Sequence, residues 1–272
     1  MLGFIGMGNM NGALLRGILA AHIVDPDEVV FTRINHRAGA ELAAKYAVHY
    51  VESIAELAQR LRPGDTCIVG VKPHAMASAL TDLGSAARDL VIVSIAAGTP
   101  CATLARALPA GTPIVRAMPN VNAQIGQAMT AWYATEEVCA SAREYVAELF
   151  SAVGRTIELP EAAFPVFSAI AGCSPAWTYT YIDALAQAAL AAGLPIHQAR
   201  EIAAQAVAGS ARLVLSAAQE RTPGQLRDEV CSPGGTTIAG LLAMEEAGFT
   251  PAVARAVAAA IKRDEDIAAK QG

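Results

Sequence analysis

The chain has 272 residues, 54% of them hydrophobic and 17% charged, with a net charge of −5. That length holds one large domain or two ordinary ones, and the composition supports a sizeable core and excludes a disordered chain. The acidic balance argues against a nucleic-acid partner, and no apolar run reaches the roughly 18–20 residues that cross a bilayer.

Strand and helix patterns alternate through the first half. "LGFIG" reads as a strand that runs into Gly6-Met7-Gly8, and a helix follows from Asn9 to about Ala21. "EVVFT" is a second strand, followed by a helix through "AGAELAAKY". Ser53 and Glu56 have capping-box spacing, so another helix begins there. "DTCIVGV" and "LVIVSIA" are continuous apolar runs, the pattern of parallel strands buried on both faces. "TPIVRAM" adds a strand, and "AMTAWYA" and "GRTIEL" frame a helix from about Glu136 to Phe150.

After Pro160 strand signals nearly vanish. Alanine-rich helices are expected at about 161–171, 175–192, 196–219, 236–247 and 251–269, the last opened by Thr250-Pro251. This divides the chain into 1–159 and 160–272, with the boundary near Leu159-Pro160. Helices that are apolar nearly all round must be covered, so a partner subunit is expected against the second half. The five cysteines (Cys67, Cys101, Cys139, Cys173 and Cys231) contain no CxxC pair, which predicts buried, reduced thiols and neither a metal site nor a disulfide. The opening strand has no basic or cleavable segment before it, and a cytoplasmic protein is expected.

A strand, Gly6-Met7-Gly8 and then a helix form the context of a dinucleotide cradle. The first glycine permits a tight turn, the second admits a pyrophosphate to the backbone, and the helix start offers free N–H groups. The usual third glycine would stand at position 11, but Asn11 is there; Gly12 and Ala13 are expected to supply the small surface one position later. The fold class is therefore α/β: an N-terminal Rossmann-type doubly wound parallel sheet followed by an all-α dimerisation domain. No acid ends the second strand, where Thr32, Arg33 and Arg37 suit a 2′-phosphate, so NADPH is preferred, with NADH possible.

Three further strand-end loops face the expected ligand side: Lys72-Pro73, then Ala96-Ala97-Gly98, then "RAMPNVN" with Met118 and Asn120, the latter a polar substrate contact. In the helical half, Ser174-Pro175 opens a helix, and Leu226–Gly240 is a polar, glycine-rich loop. Its Ser232-Pro233-Gly234-Gly235-Thr236-Thr237 run leads into a helix and offers N–H groups and hydroxyls to a small carboxylate.

The segments "GFIGMGNM", "VKPHA", "VSIAAGTP", "RAMPN", "GCSPAW" and above all "LRDEVCSPGGTTIAG" make the chain resemble the pyrroline-5-carboxylate reductases over nearly its whole length. The resemblance implies reduction of 1-pyrroline-5-carboxylate to L-proline, the last step of proline biosynthesis, with NADPH or NADH. By the same likeness, Ile5, Gly6, Met7, Gly8, Asn9 and Met10 would cradle the pyrophosphate, and Arg33 and Ser53 would lie near the adenosine ribose. Gly70, Val71, Lys72 and Pro73, with Ile95, Ala96 and Ala97, would line the cofactor cleft. Ser232, Gly234, Gly235, Thr236 and Thr237 would bind the substrate, with Thr237 on the ring nitrogen and Glu220 nearby. The family's dimers interlock through the helical domain and often assemble into decamers. The chain departs from the family pattern at Val121-Asn122, Cys173 and Asn11. A β-hydroxyacid dehydrogenase is disfavoured, because no lysine lies between Lys72 and Lys262. A non-catalytic NADP-binding sensor, or a reductase of a related cyclic imine, stays open from the residues alone.

Overall fold

A computed structural model describes residues 1–218 and 220–269. Its first part alternates β1 (Leu2–Ile5), α1 (Asn9–Ala20), β2 (Val29–Thr32), α2 (His36–Tyr46), β3 (His49–Val51), α3 (Ile54–Arg60) and β4 (Thr66–Val69). It continues with α4 (Met76–Asp82), β5 (Val91–Ser94), α5 (Cys101–Ala105), β6 (Ile114–Met118), β7 (Ala128–Ala134), α6 (Ala140–Ser151) and β8 (Gly154–Glu158). These strands form one sheet in the order β3-β2-β1-β4-β5-β6-β7-β8. Every residue of β1, β2, β4 and β5 is buried, as expected for strands covered on both faces.

The sheet is mixed where a parallel one was expected: β7 runs antiparallel to β6. The chain between Met118 and Ala128 is shorter than the dozen or so residues a parallel crossover requires. Helix α6 then gives β8 the length to return parallel to β7. The expected capping site holds in modified form. Ser53 accepts from the Glu56 N–H at 3.1 Å and starts α3, while the Glu56 carboxylate returns to the Glu52 N–H at 3.3 Å, one residue earlier than a capping box would place it.

The helical part comprises α7 (Phe164–Phe167), a π-helical turn Ser168–Cys173, α8 (Ser174–Ala191), α9 (Ile196–Ala217), α10 (Pro223–Glu229), α11 (Thr236–Glu246) and α12 (Phe249–Ala269). Gln219, the expected last residue of the third expected helix, lies outside the described residues. Helix α10 runs into the segment Leu226–Gly240 read from sequence as loop, and its last residues occupy the start of that segment. Thr222 caps it, accepting from the Gln225 N–H at 3.2 Å, while the Gln225 amide oxygen accepts from the Thr222 N–H at 2.7 Å. By compactness Met1–Gly172 with residues 260–269 is one unit, and Cys173–Ala259 is another. No described helix is long and apolar enough to cross a membrane.

The second unit buries little within one chain. In α8 only Pro175 and Ala186 are buried, and in α11 no residue is. Tyr179, Leu185, Ile202, Leu213, Leu215 and Leu242 are exposed. Small alanines fill the contacts inside the unit, such as Ala186, Ala199 and Ala203, while large apolar side chains stay open.

The thiols divide in a way composition did not indicate. Cys67 and Cys101 are buried, Cys173 and Cys231 are half-buried, and Cys139 is exposed. Burial pushes Cys67 and Cys101 up to about 12, the Glu161 carboxylate adding to the effect at Cys101. The Cys139 thiol is held below its ordinary value, chiefly by its hydrogen bond with the Ser141 hydroxyl. Thiolate is the reactive form. A thiol reagent near neutral pH should therefore label Cys139 well before Cys67 and Cys101, which react on unfolding; equal rates in peptide mapping would contradict this arrangement.

Candidate active site

The strand order reverses between β1 and β4, the place where open parallel sheets bind ligands beyond their strand ends. Gly6 follows β1 there with φ +80°, and a Cβ on it would lie 2.8 Å from Val71 Cγ1. Gly8 is the N-cap of α1 and faces open space, with nothing within 4 Å of where its Cβ would stand. The loop is pinned from below: the Met7 N–H donates to the Thr32 carbonyl at 3.0 Å and the Gly8 N–H to the Gly6 carbonyl at 2.8 Å. No side chain caps α1 and no acid lies in its first turn. The N–H groups of Asn9 and Met10 have no partner within the helix, and the positive end of its dipole is left unneutralised. A cradle without side chains, with free donors and no competing carboxylate, fits a pyrophosphate.

Two grooves flank the loop. One, of about 370 Å³, is lined by the expected Ile5, Gly6, Thr32, Arg33, Ser53 and Val71. It also contains Glu52 and Asp82, acids that arrive from the end of β3 and from α4 rather than from the end of β2. The other, of about 300 Å³, brings Gly8, Asn9 and Arg33 together with Arg16 and Gln124. Arg33 belongs to both and so stands at the junction of the two grooves. Arg16 was missed in sequence, although it shares a helical face with Asn9 and Gly12 at i, i+3, i+7 spacing.

In the second unit, Ser232–Gly235 forms a turn closed by the Gly235 N–H on the Ser232 carbonyl at 3.0 Å, with Gly234 at φ +65°. Gly235 is the N-cap of α11 and no side chain caps that helix. Ser232, Gly234, Thr236 and Thr237 are exposed, Gly235 is half-buried, and the first-turn donors are open. Glu220 is exposed just beyond α9.

The family profile for pyrroline-5-carboxylate reductase dimerisation matches residues 161–267, and one for NADP oxidoreductase coenzyme F420-dependent matches residues 1–98. The pyrroline-5-carboxylate reductase of Escherichia coli is 37% identical over 268 residues, which is 98% of this chain and 97% of that protein. The chain belongs to the pyrroline-5-carboxylate reductase family. A solved 1-pyrroline-5-carboxylate reductase from Streptococcus pyogenes superposes with a TM-score of 0.85 at 34% identity, covering 97% of this chain and 98% of the other. The Plasmodium falciparum enzyme with NADP bound gives 0.87 at 27% identity, covering 98% and 97%.

Several residues singled out from sequence have other tasks in this member of the family. Asn120 was expected to touch substrate. It is buried, its amide donates to the Ala171 carbonyl at 2.9 Å, and its oxygen accepts from the Met129 N–H at 3.3 Å, so both ends are engaged by backbone. The Met7 side chain points into the core, and the loop uses only its backbone. Met118 packs with Phe164, Phe167 and Ala171. Lys72 is exposed, and Pro73 lines a separate cavity of about 170 Å³ beside Thr99. Ile95 is half-buried, Ala96 buried and Ala97 exposed beyond β5, where Gly98 turns at φ +66° beneath Ile267 of α12. Gly12 is not the close-packing glycine: a Cβ there would meet only Arg16 Nη1, at 3.6 Å. In α1 the close approach comes at Gly17, against Val153 and the Ala152 carbonyl.

Proposed function

We propose that the chain reduces 1-pyrroline-5-carboxylate to L-proline with NADPH, NADH serving as the weaker donor. The observation that carries this reading is the 37% identity to the Escherichia coli reductase over 98% of the chain. Residues 1–159 form the dinucleotide domain, and 160–272 the substrate and dimerisation domain. When bound, the reduced nicotinamide supplies the hydride. The protein's contribution is to hold and align. The free N–H groups of Asn9 and Met10 take the pyrophosphate, Thr32 and Arg33 take the 2′-phosphate, and Ser53 lies by the ribose. Lys72, Ile95, Ala96 and Ala97 flank the remainder of the cofactor.

The open α11 start, with Ser232, Gly234, Gly235 and Thr236, fixes the substrate carboxylate. The Thr237 hydroxyl orients the ring nitrogen, with Glu220 in support. The imine arrives already protonated from solution, so no strong protein acid is required. The exposed apolar faces of α8, α9 and α11 support a homodimer through the helical unit. Decamers and a cytoplasmic location complete the reading.

A steady-state assay with NADPH and NADH, and with five- and six-membered cyclic imines, tests it. Oxidation of NADPH that depends on the five-membered imine is expected. Tight cofactor binding without turnover would overturn the enzyme assignment in favour of a sensor. Thr237→Ala should keep the fold and lower kcat/KM about tenfold, the value of one hydrogen bond to a charged group. Wild-type kinetics would remove Thr237 from the mechanism.

A further inference from the structure

Asn11 occupies the position where a dinucleotide fingerprint carries its third glycine, whose ordinary task is to let helix and strand approach closely. Here the helix carries a buried amide instead, 1% exposed. Its nitrogen donates to the Gly6 carbonyl at 3.0 Å and reaches the Ile5 carbonyl at 3.4 Å. Its oxygen is buried and has no partner. Those two carbonyls fix the amide's orientation, since turning it over would set oxygen against oxygen.

The space for this side chain comes from the next strand. A Cβ on Gly70 would stand 2.5 Å from Asn11 Nδ2, 2.8 Å from Cγ and 3.0 Å from Oδ1. Gly70 has no positive φ, so its backbone would accept a side chain, and the three nearest atoms that side chain would meet all belong to the Asn11 amide. The Gly70 N–H also donates to the Ile5 carbonyl at 2.9 Å, so Gly70 and Asn11 hold the same peptide from two sides. That Cβ would point into the protein, toward Asn11, so its effect on a ligand must travel through the loop.

We infer that Asn11 and Gly70 form a size-matched pair that positions the dinucleotide loop, the close-packing glycine having moved from helix to neighbouring strand. Asn11 is a positioning residue: it acts on the cofactor through the carbonyls of Ile5 and Gly6, which set the direction of the free N–H groups at the α1 start. An extra methyl at Gly70 overpacks this contact and pushes the loop away from its cradle geometry.

This inference rests on the proposed dinucleotide role of the loop, and the test separates the two. NADPH binding is measured by fluorescence for the wild type, Gly70→Ala, Asn11→Ala and the double variant, with melting temperatures alongside. No binding by the wild type would overturn the dinucleotide role itself. With binding in the wild type, Gly70→Ala should raise the dissociation constant about tenfold, and the NADPH KM with it, at little change in kcat. In the Asn11→Ala background the same methyl should cost almost nothing, because the truncated side chain returns the space. Equal penalties in both backgrounds, or none in either, would overturn the pairing. If Gly70→Ala alone does not fold, recovery of folding and binding by the double variant supports the pairing, and failure of both refutes it.

Discussion

Gly6→Ala is expected to weaken NADPH binding about a hundredfold while the protein still folds. Gly6 sits at φ +80°, and the left-handed region costs an L-residue about 1–2 kcal/mol. The new methyl would also lie 2.8 Å from Val71 Cγ1 and 3.2 Å from the Gly70 carbonyl carbon and oxygen, so something must shift. The least restrained part is the loop, which faces open space at Gly8. A shift of that kind spoils the aim of the Asn9 and Met10 donors, and misplacement by about 1 Å costs rates or affinities of this order. Fluorescence titration with NADPH checks the affinity, and circular dichroism checks the fold. An unchanged dissociation constant would take the loop out of cofactor binding.

Arg116→Ala is expected to be the most destabilising of these substitutions, by about 3 kcal/mol, lowering the first melting transition by roughly 6–12 °C. Arg116 lies on β6 with its side chain 6% exposed, and its Nη1 donates to Glu161 Oε1 at 3.2 Å. Its guanidinium also lies over the Phe164 ring, with Cζ 4.4 Å from the centroid. Removing it deprives the Glu161 carboxylate, which also accepts from the Cys101 N–H at 2.8 Å, of the Arg116 charge. Glu161 is 27% exposed, so water recovers part of the loss and the effect stays near the lower end for a broken buried pair. Arg116→Lys should recover only a fraction, because an ammonium cannot stack flat on the ring. Calorimetry comparing the three proteins is the check; a melting temperature within experimental scatter of the wild type for Arg116→Ala would show that the pair contributes nothing.

Much of the first unit is legible in the amino-acid sequence. Continuous apolar runs announced β4 and β5 because a strand covered on both faces has no polar side to alternate with. Strand β3 was not singled out: it has three residues, and only Val51 is buried. The last part of α10, from Leu226, was read as loop because its residues are polar, and its start was not singled out although Thr222 and Gln225 carry the spacing of a capping box. The antiparallel turn into β7 depends on connection length, which a search for apolar periodicity does not weigh.

The candidate site divides in the same way. Backbone turns were legible because glycines mark them: Gly6 and Gly8 follow β1 and lead into α1, and Gly234 and Gly235 lead into α11. Side-chain duties were not, because they depend on what lies across the fold. Asn120 looks like a ligand contact until Ala171 and Met129 engage it, and Gly70 looks like an ordinary strand end until Asn11 fills the space beside it. By itself, then, the sequence determined the element types, the cradle at the end of β1 and the family. Tertiary structure alone decided which polar groups are spent on the protein and which are left for a ligand, since hydrogen-bond satisfaction is settled between residues distant in the chain.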